Sequence, residues 1–118
     1  MGNIIITREK SFVAALAKYY CVLNLGKEKF QEQVGLRDTL LLGHRNKFLN
    51  ESPQTFPVAN GESISITISE QKNTLFVVAF TIGGNVFSNE VIFNKGNLKY
   101  SIKTKLGFTS TTIILNKE

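Results

Sequence analysis

Ser63-Ile64-Ser65-Ile66-Thr67-Ile68-Ser69 and, after a short break, Thr74-Leu75-Phe76-Val77-Val78-Ala79-Phe80-Thr81-Ile82 are the stretches whose reading decides the fold. In the first, every second residue is isoleucine. A pleated strand sends alternate side chains to opposite faces, so the three isoleucines go one way and the hydroxyls the other. That is a strand with one buried and one wet face. The second stretch is apolar on both parities, which suits a strand covered on both sides or lying at the centre of a sheet, and it is placed at the core.

The same pattern continues towards the carboxyl end. Glu90-Val91-Ile92-Phe93, Leu98 to Thr104 and Thr111 to Leu115 read as strands, with Leu98, Tyr100 and Ile102 on one face and Lys99, Ser101 and Lys103 on the other. Between the runs stand Asn60-Gly61, Gln71-Lys72-Asn73, Gly83-Gly84-Asn85, Lys95-Gly96-Asn97 and Gly107, and Gly and Asn tolerate the positive φ of tight turns. Short strands joined in this way predict an antiparallel meander, and each half-apolar strand must cover its apolar face. The expectation is an all-β chain: a single antiparallel β-sandwich of about seven strands, immunoglobulin- or prealbumin-like.

Towards the amino end the pattern loosens. Ile4-Ile5-Ile6-Thr7 and Tyr19 to Leu25 read as strands, with Ser11 to Ala17 as a loop crossing between them. From Gly26 to Gln54 there is no sustained period of two, and Leu36, Leu40, Leu41, Phe48 and Leu49 have approximate helical spacing. Residues 26–57 are therefore an irregular, partly helical insert between early strands, with Pro53 and Pro57 at its exit.

At 118 residues the chain has room for one core, so residues 1–118 are read as one domain, and 42% hydrophobic content exclude a disordered or fibrous chain. The net charge of +5 is unevenly spread: residues 95–118 hold five lysines against one acid. Lys99, Lys103 and Lys105 fall on one face of a strand, a basic face that suits a polyanion or an anionic membrane surface. Solvent-facing lysines also blunt edge-to-edge aggregation, and that is the stronger reading. Nucleic acid is disfavoured as a partner, because Arg8, Arg37 and Arg45 are the only arginines and no exposed aromatics interleave with them.

The lone cysteine, Cys21, has no internal partner for a disulfide and sits in an apolar strand, where it reads as a small core residue. No signal-like segment opens the chain and no apolar run reaches membrane-spanning length, so the chain as it stands reads as cytoplasmic. A signal or lipoprotein anchor removed beforehand is the alternative. Ile6 stands where a myristoylation motif needs Ser or Thr, and the sequon Asn50-Glu51-Ser52 is idle without secretion.

Chemistry is sparse. A metal site needs converging ligands, and His44 and Cys21 are the only histidine and cysteine. His44 lies in the polar stretch Gly43-His44-Arg45-Asn46-Lys47, without a recognisable nucleophile turn anywhere to serve. Glu62 and Glu70 flank opposite ends of one strand, about 25 Å apart, too far for a glycosidase pair. Gly83-Gly84-Asn85 lacks the Lys-Ser/Thr pair and following helix of a phosphate loop. No catalytic, cofactor-binding or metal residue is expected, and the chain is read as not an enzyme, without cofactors.

Taken in order, Ile6-Thr7-Arg8-Glu9-Lys10-Ser11-Phe12, the strand through Cys21-Val22-Leu23-Asn24, Asn60-Gly61-Glu62, Ser88-Asn89-Glu90, Tyr100 and Leu106-Gly107-Phe108 form a pattern. It resembles a family of small bacterial β-sandwich domains of unknown function, PEGA-like in appearance. The resemblance implies a sugar- or surface-associated module of the kind attached to lipoproteins, membrane segments or zinc ribbons. The chain departs from the family in the length of residues 26–57 and in Glu70-Gln71-Lys72-Asn73, where the family carries a Pro-Gly turn.

Long loops on a rigid β scaffold frequently carry function, so Leu40, Leu41, His44, Arg45, Lys47 and Phe48 are the candidate contact residues. Alternatively Leu40, Leu41 and Phe48 cap one open end of the sandwich. The function expected is a non-catalytic binding module that presents the insert, or a sheet edge, to a protein or glycan partner. The other reading is a small apolar-ligand carrier with a cavity between the sheets, lined by Phe76, Phe80, Phe93 and Tyr100. A homodimer through the thinly charged edge Thr109 to Leu115 is a further expectation.

Overall fold

The computed structural model of the chain describes residues 2–11, 19–34, 53–81, 84–106 and 111–118. Among them nine strands and one helix follow in the order β1 (Gly2–Arg8), β2 (Tyr19–Leu23), α1 (Lys27–Val34), β3 (Thr55–Val58), β4 (Ser63–Ile68), β5 (Lys72–Thr81), β6 (Gly84–Phe87), β7 (Val91–Asn94), β8 (Leu98–Leu106) and β9 (Thr111–Lys117). They form two sheets. The first has the strand order β4-β1-β8-β9; the second runs β3-β2-β5-β6, with β7 also paired to β5. The β-sandwich expected from the alternating isoleucines is present, and its interior is the shared inner surface of the two sheets.

The connectivity is not a meander. Among the described strands, neighbours in sequence pair only as β2/β3, β5/β6 and β8/β9, whereas β4 and β5 belong to different sheets. The half-wet and the two-faced strand thus lie in opposite layers, although Gln71-Lys72-Asn73 had signalled a hairpin between them. Nor is every pair antiparallel: β1 runs parallel to β8, pairing Ile4 with Leu98 and Ile6 with Tyr100. A turn signal marks where a strand ends and says nothing about which sheet the next one joins. Residues 55–57 are also strand rather than insert, since β3 pairs with β2. Pro57 fits there because it stands opposite Tyr20, out of phase with the hydrogen-bonded pair Leu23 and Gln54, so its missing N–H points away from the sheet.

Periodicity places the core. Ile4 and Ile6 of β1, Ile66 and Ile68 of β4, Tyr100 and Ile102 of β8, and Ile113 and Leu115 of β9 face Tyr19, Cys21, Leu75, Val77, Ala79 and Phe93 of the second sheet. The opposite parity of β2 and β5 forms a separate apolar cluster, in which Val22, Phe76 and Val78 pack with Leu25 and Phe30. Strand β5 is therefore both central in its sheet and covered on both faces, as its unbroken apolar run required.

Helix α1 is what covers the outer face. Its sequence Lys-Glu-Lys-Phe-Gln-Glu-Gln-Val is rich in helix formers, and the Phe30 N–H closes its first turn on the Gly26 carbonyl at 2.9 Å. Phe30 is fully buried, edge-on to Phe76 at 5.5 Å and to Phe87 at 6.2 Å between ring centroids. The layers are thus sheet, sheet and helix. A helix is present within residues 26–57, but it begins the segment; Leu36, Leu40, Leu41, Phe48 and Leu49, whose spacing had suggested one, lie outside the described residues, as do residues 12–17 of the crossing loop.

The edge of the second sheet carries an irregularity that closes an edge of the first. Strands β6 and β7 lie end to end along β5, and between their pairings three residues, Ser88 to Glu90, oppose two, Phe76 and Val77. This is a β-bulge. The buried Ser88 hydroxyl accepts from the Val77 N–H at 2.8 Å and donates to the Asn89 carbonyl, replacing a ladder contact that the bulge removes. Asn89 then reaches across to β9: its amide nitrogen donates to the Leu115 carbonyl at 3.0 Å, and its amide oxygen accepts from the Leu115 N–H at 2.9 Å. The side chain does what a neighbouring strand would do. Of the edge Thr109 to Leu115 expected to pair with a second copy, the last residue, Leu115, is thereby occupied. Replacing Asn89 with Ala removes two hydrogen bonds worth about 1 kcal/mol each, so unfolding should cost about 1–2 kcal/mol less. The Leu115 amide should then exchange faster with solvent deuterium, while the Ile114 amide, which faces β8, keeps its protection.

Candidate functional site

The sandwich has two ends, and they are built differently. At one end β1 stops at Arg8, β3 stops at Val58 and β2 begins at Tyr19. Arg8 shares the parity of Ile4 and Ile6 and so points inward, where it is 1% exposed. Its guanidinium carbon lies 3.6 Å from the centre of the Tyr19 ring, and Nη1 donates to the Val58 carbonyl at 3.1 Å. The Tyr19 hydroxyl in turn meets the Thr104 hydroxyl at 2.8 Å, joining the sheets a second time. Burial pulls the Arg8 guanidinium below its ordinary value, and Tyr19 pushes back. The turn beside it is fixed by Gly61, at φ 76°, and by Glu62, whose carboxylate accepts from the Ala59 N–H at 2.8 Å. Sequence reading had not assigned Arg8 a place in the interior; its parity with Ile4 and Ile6 was the available signal.

At the opposite end the chain leaves the second sheet at Asn24 and rejoins it at Gln54. Asn24 adopts φ 57°, a conformation Asn reaches more readily than most residues. Its N–H donates to the Thr74 carbonyl at 2.8 Å and its side-chain oxygen accepts from the Thr74 N–H at 2.9 Å. Its amide nitrogen donates to the buried Asn73 side chain at 2.9 Å, and Asn73 donates to the Glu70 carbonyl. Gln54 completes the knot: its amide donates to the Asn24 carbonyl at 2.9 Å and its own carbonyl accepts from the Leu23 N–H at 2.8 Å. The two stems of the insert are bound to each other and to β5. Gln71-Lys72-Asn73 had been read only as a turn, and the departure from a Pro-Gly turn there supplies the side chain that ties Asn24 down.

The candidate contact residues Leu40, Leu41, His44, Arg45, Lys47 and Phe48 lie outside the described residues. The basic face is where the periodicity put it, with Lys99, Lys103 and Lys105 exposed along β8. Its charge is diluted. Glu9 comes within 3.9 Å of Lys103, and the Glu118 N–H donates to the Lys99 carbonyl, which sets a second acid beside the same face. Ser101, expected among the wet residues, is 7% exposed, lying between Thr7 and Asn116 of the flanking strands.

Of the four aromatics assigned to a ligand cavity, the three with described side chains do not converge. Phe93 and Tyr100 meet in the interior at 5.7 Å, but Phe76 has the opposite parity and packs under Phe30 on the outer face. The side chain of Phe80 lies outside the described residues. Among the described residues no three His, Cys, Asp or Glu side chains group as metal ligands, and no helix is long and apolar enough to cross a membrane.

Cys21 is fully buried in the interior cluster, and burial pushes its thiol up to about 12. The folded state therefore holds the proton more tightly than the unfolded one, for which the value is near 9. Its contribution to stability is whole below about pH 9 and falls as pH rises towards 12. Between pH 9 and pH 10.5 the unfolding free energy of the parent should drop more steeply than that of Cys21→Ala; parallel curves would refute the assignment.

No family model matches the chain, and no curated protein matches it. Among solved structures it is similar to the crystal structure of the T6SS lipoprotein TssJ1 from Pseudomonas aeruginosa. That likeness has 13% identity and a TM-score of 0.42, and covers 99% of this chain and 95% of the other.

Proposed function

We propose that this chain is a non-catalytic binding module, an immunoglobulin- or prealbumin-like sandwich that presents the insert to a protein or glycan partner. The observation that supports this reading is the knot at Asn24, Gln54, Asn73 and Thr74, which clamps both stems of a long segment onto the central strand. Clamping the ends of a loop lowers the conformational entropy it loses on binding, and long loops on rigid scaffolds commonly carry contacts. Leu40, Leu41, His44, Arg45, Lys47 and Phe48 are the residues assigned to the contact. The PEGA-like resemblance, with its surface-associated modules, agrees with a binding role.

The test keeps helix α1, because removing it would uncover Phe76 and Val78. Residues 35–52 are exchanged for a Gly/Ser segment of equal length, and the immobilised parent and variant are compared on a bacterial lysate and a glycan array. The expected result is that whatever the parent retains is lost by the variant, yet kept by a Lys99→Gln, Lys103→Gln, Lys105→Gln triple variant. Partners retained without residues 35–52 would move the function elsewhere.

A further inference from the structure

Four strand edges flank the described sheets, and three of them are obstructed. The outer edge of β3 carries Pro57, which has no N–H to offer, and that of β9 is taken at Leu115 by the Asn89 amide. The β6–β7 edge is broken by the bulge at Ser88 to Glu90. The outer edge of β4 has none of these devices. Its phase follows from the Arg8 N–H, which donates to the Glu62 carbonyl. Ile64, Ile66 and Ile68 thus spend their backbone groups on β1, while the N–H and C=O groups of Ser63, Ser65 and Thr67 point away from the sheet. All three of those residues are exposed, and the run Ser-Ile-Ser-Ile-Thr-Ile contains no proline, charge or glycine. It is a continuous edge about 20 Å long, of the kind natural proteins otherwise block.

The flanking charges say what would lie on it. Glu62 and Glu70 stand at its two ends with the parity of the isoleucines, and both are exposed. A second copy in full antiparallel overlap would set the Glu62 carboxylate of one chain against the Glu70 carboxylate of the other at both ends, which is destabilising. The geometry points to a strand from a different protein: an extended segment that adds antiparallel to β4, with apolar residues at every second position and a basic residue at each end, eight positions apart. In that register the basic residues meet Glu70 and Glu62, and the apolar ones continue the isoleucine face beside the half-buried Ile64. Main-chain hydrogen bonds to Ser63, Ser65 and Thr67 supply the attachment, and the end charges select the sequence. Strand β4 lies outside residues 26–57, and its test leaves the sequence of the insert unchanged.

The probe is the capped peptide Lys-Thr-Val-Thr-Val-Thr-Val-Thr-Lys, titrated into the full chain and followed by amide resonances and hydrogen exchange. Binding should slow exchange at Ser63, Ser65 and Thr67 at least tenfold, and a peptide with Glu at both ends should bind at least tenfold more weakly. Ser65→Pro removes one outward N–H at a position that costs β1 nothing and should weaken binding tenfold or more; Glu62→Gln with Glu70→Gln reads the charge requirement while keeping at position 62 an amide oxygen able to accept from the Ala59 N–H. Equal binding of the two peptides, protection at another edge, or unchanged affinity in the Gln double variant overturns the proposal. So does a concentration-dependent dimer of the unbound chain that Ser65→Pro dissolves, since a second copy would then be the occupant.

Discussion

Replacing Phe30 with alanine should lower the unfolding free energy by about 3–5 kcal/mol, the range for a fully buried aromatic whose site cannot collapse. Phe30 has no exposed surface and is held edge-on by both Phe76 and Phe87, themselves 6.0 Å apart. Among its described side chains helix α1 is otherwise polar, and an isolated helix of eight residues is not stable in water. Its place on the second sheet therefore depends on this ring and on Leu25 beside it. The variant should unfold at lower denaturant, bind a hydrophobic dye through the uncovered Phe76 and Phe87, and lose amide protection across 27–34. Phe30→Leu should recover most of the loss, because leucine fills much of the same volume. A Phe30→Ala protein within about 1 kcal/mol of the parent would mean that the helix is not a structural layer.

Arg8→Ala should cost about 2–3 kcal/mol, at the other end of the sandwich. A desolvated cation over an aromatic ring is worth about 2 kcal/mol, and a charge-assisted hydrogen bond about 1.5–3 kcal/mol. The cost of holding the charge out of water cancels part of that sum, which is why the guanidinium is pulled downward. Two further variants separate the terms. Arg8→Lys keeps the charge but loses the flat stacking on Tyr19 and the reach to Val58, so it should be nearly as unstable as Arg8→Ala. Arg8→Met keeps much of the length and removes the buried charge, so it should be the most stable of the three by urea unfolding. A parent-like Arg8→Lys would show that charge alone holds this end together.

Much of the scaffold is legible in single residues. The isoleucines of β4 give its inner face, and the two-sided run of β5 gives its central position, because each is a direct consequence of side-chain alternation. That same run demanded an outer cover, yet the cover itself was obscure: α1 has one described buried side chain, Phe30, and one aromatic makes no period. The pairing of strands was equally hidden, since β1 beside β8 joins segments more than ninety residues apart and no local signal carries such a contact. Two of the motifs behind the family resemblance prove to be architectural. Asn60-Gly61-Glu62 builds a turn through a positive φ and a carboxylate acceptor, and Ser88-Asn89-Glu90 builds a bulge and closes an edge. Polar residues in such strings invite a functional reading, and here their hydrogen bonds are spent on the backbone.

The division between a self-sufficient scaffold and a separable contact segment is tested most directly by urea unfolding of the chain in which residues 35–52 are exchanged for Gly/Ser of equal length. The clamp at Asn24 and Gln54, helix α1 and both apolar clusters are retained in it, so a single cooperative transition within about 1 kcal/mol of the parent is expected. A loss of more than about 3 kcal/mol, or a broad non-cooperative transition, would place Leu40, Leu41 and Phe48 in the core as a cap on the sandwich and contradict the division.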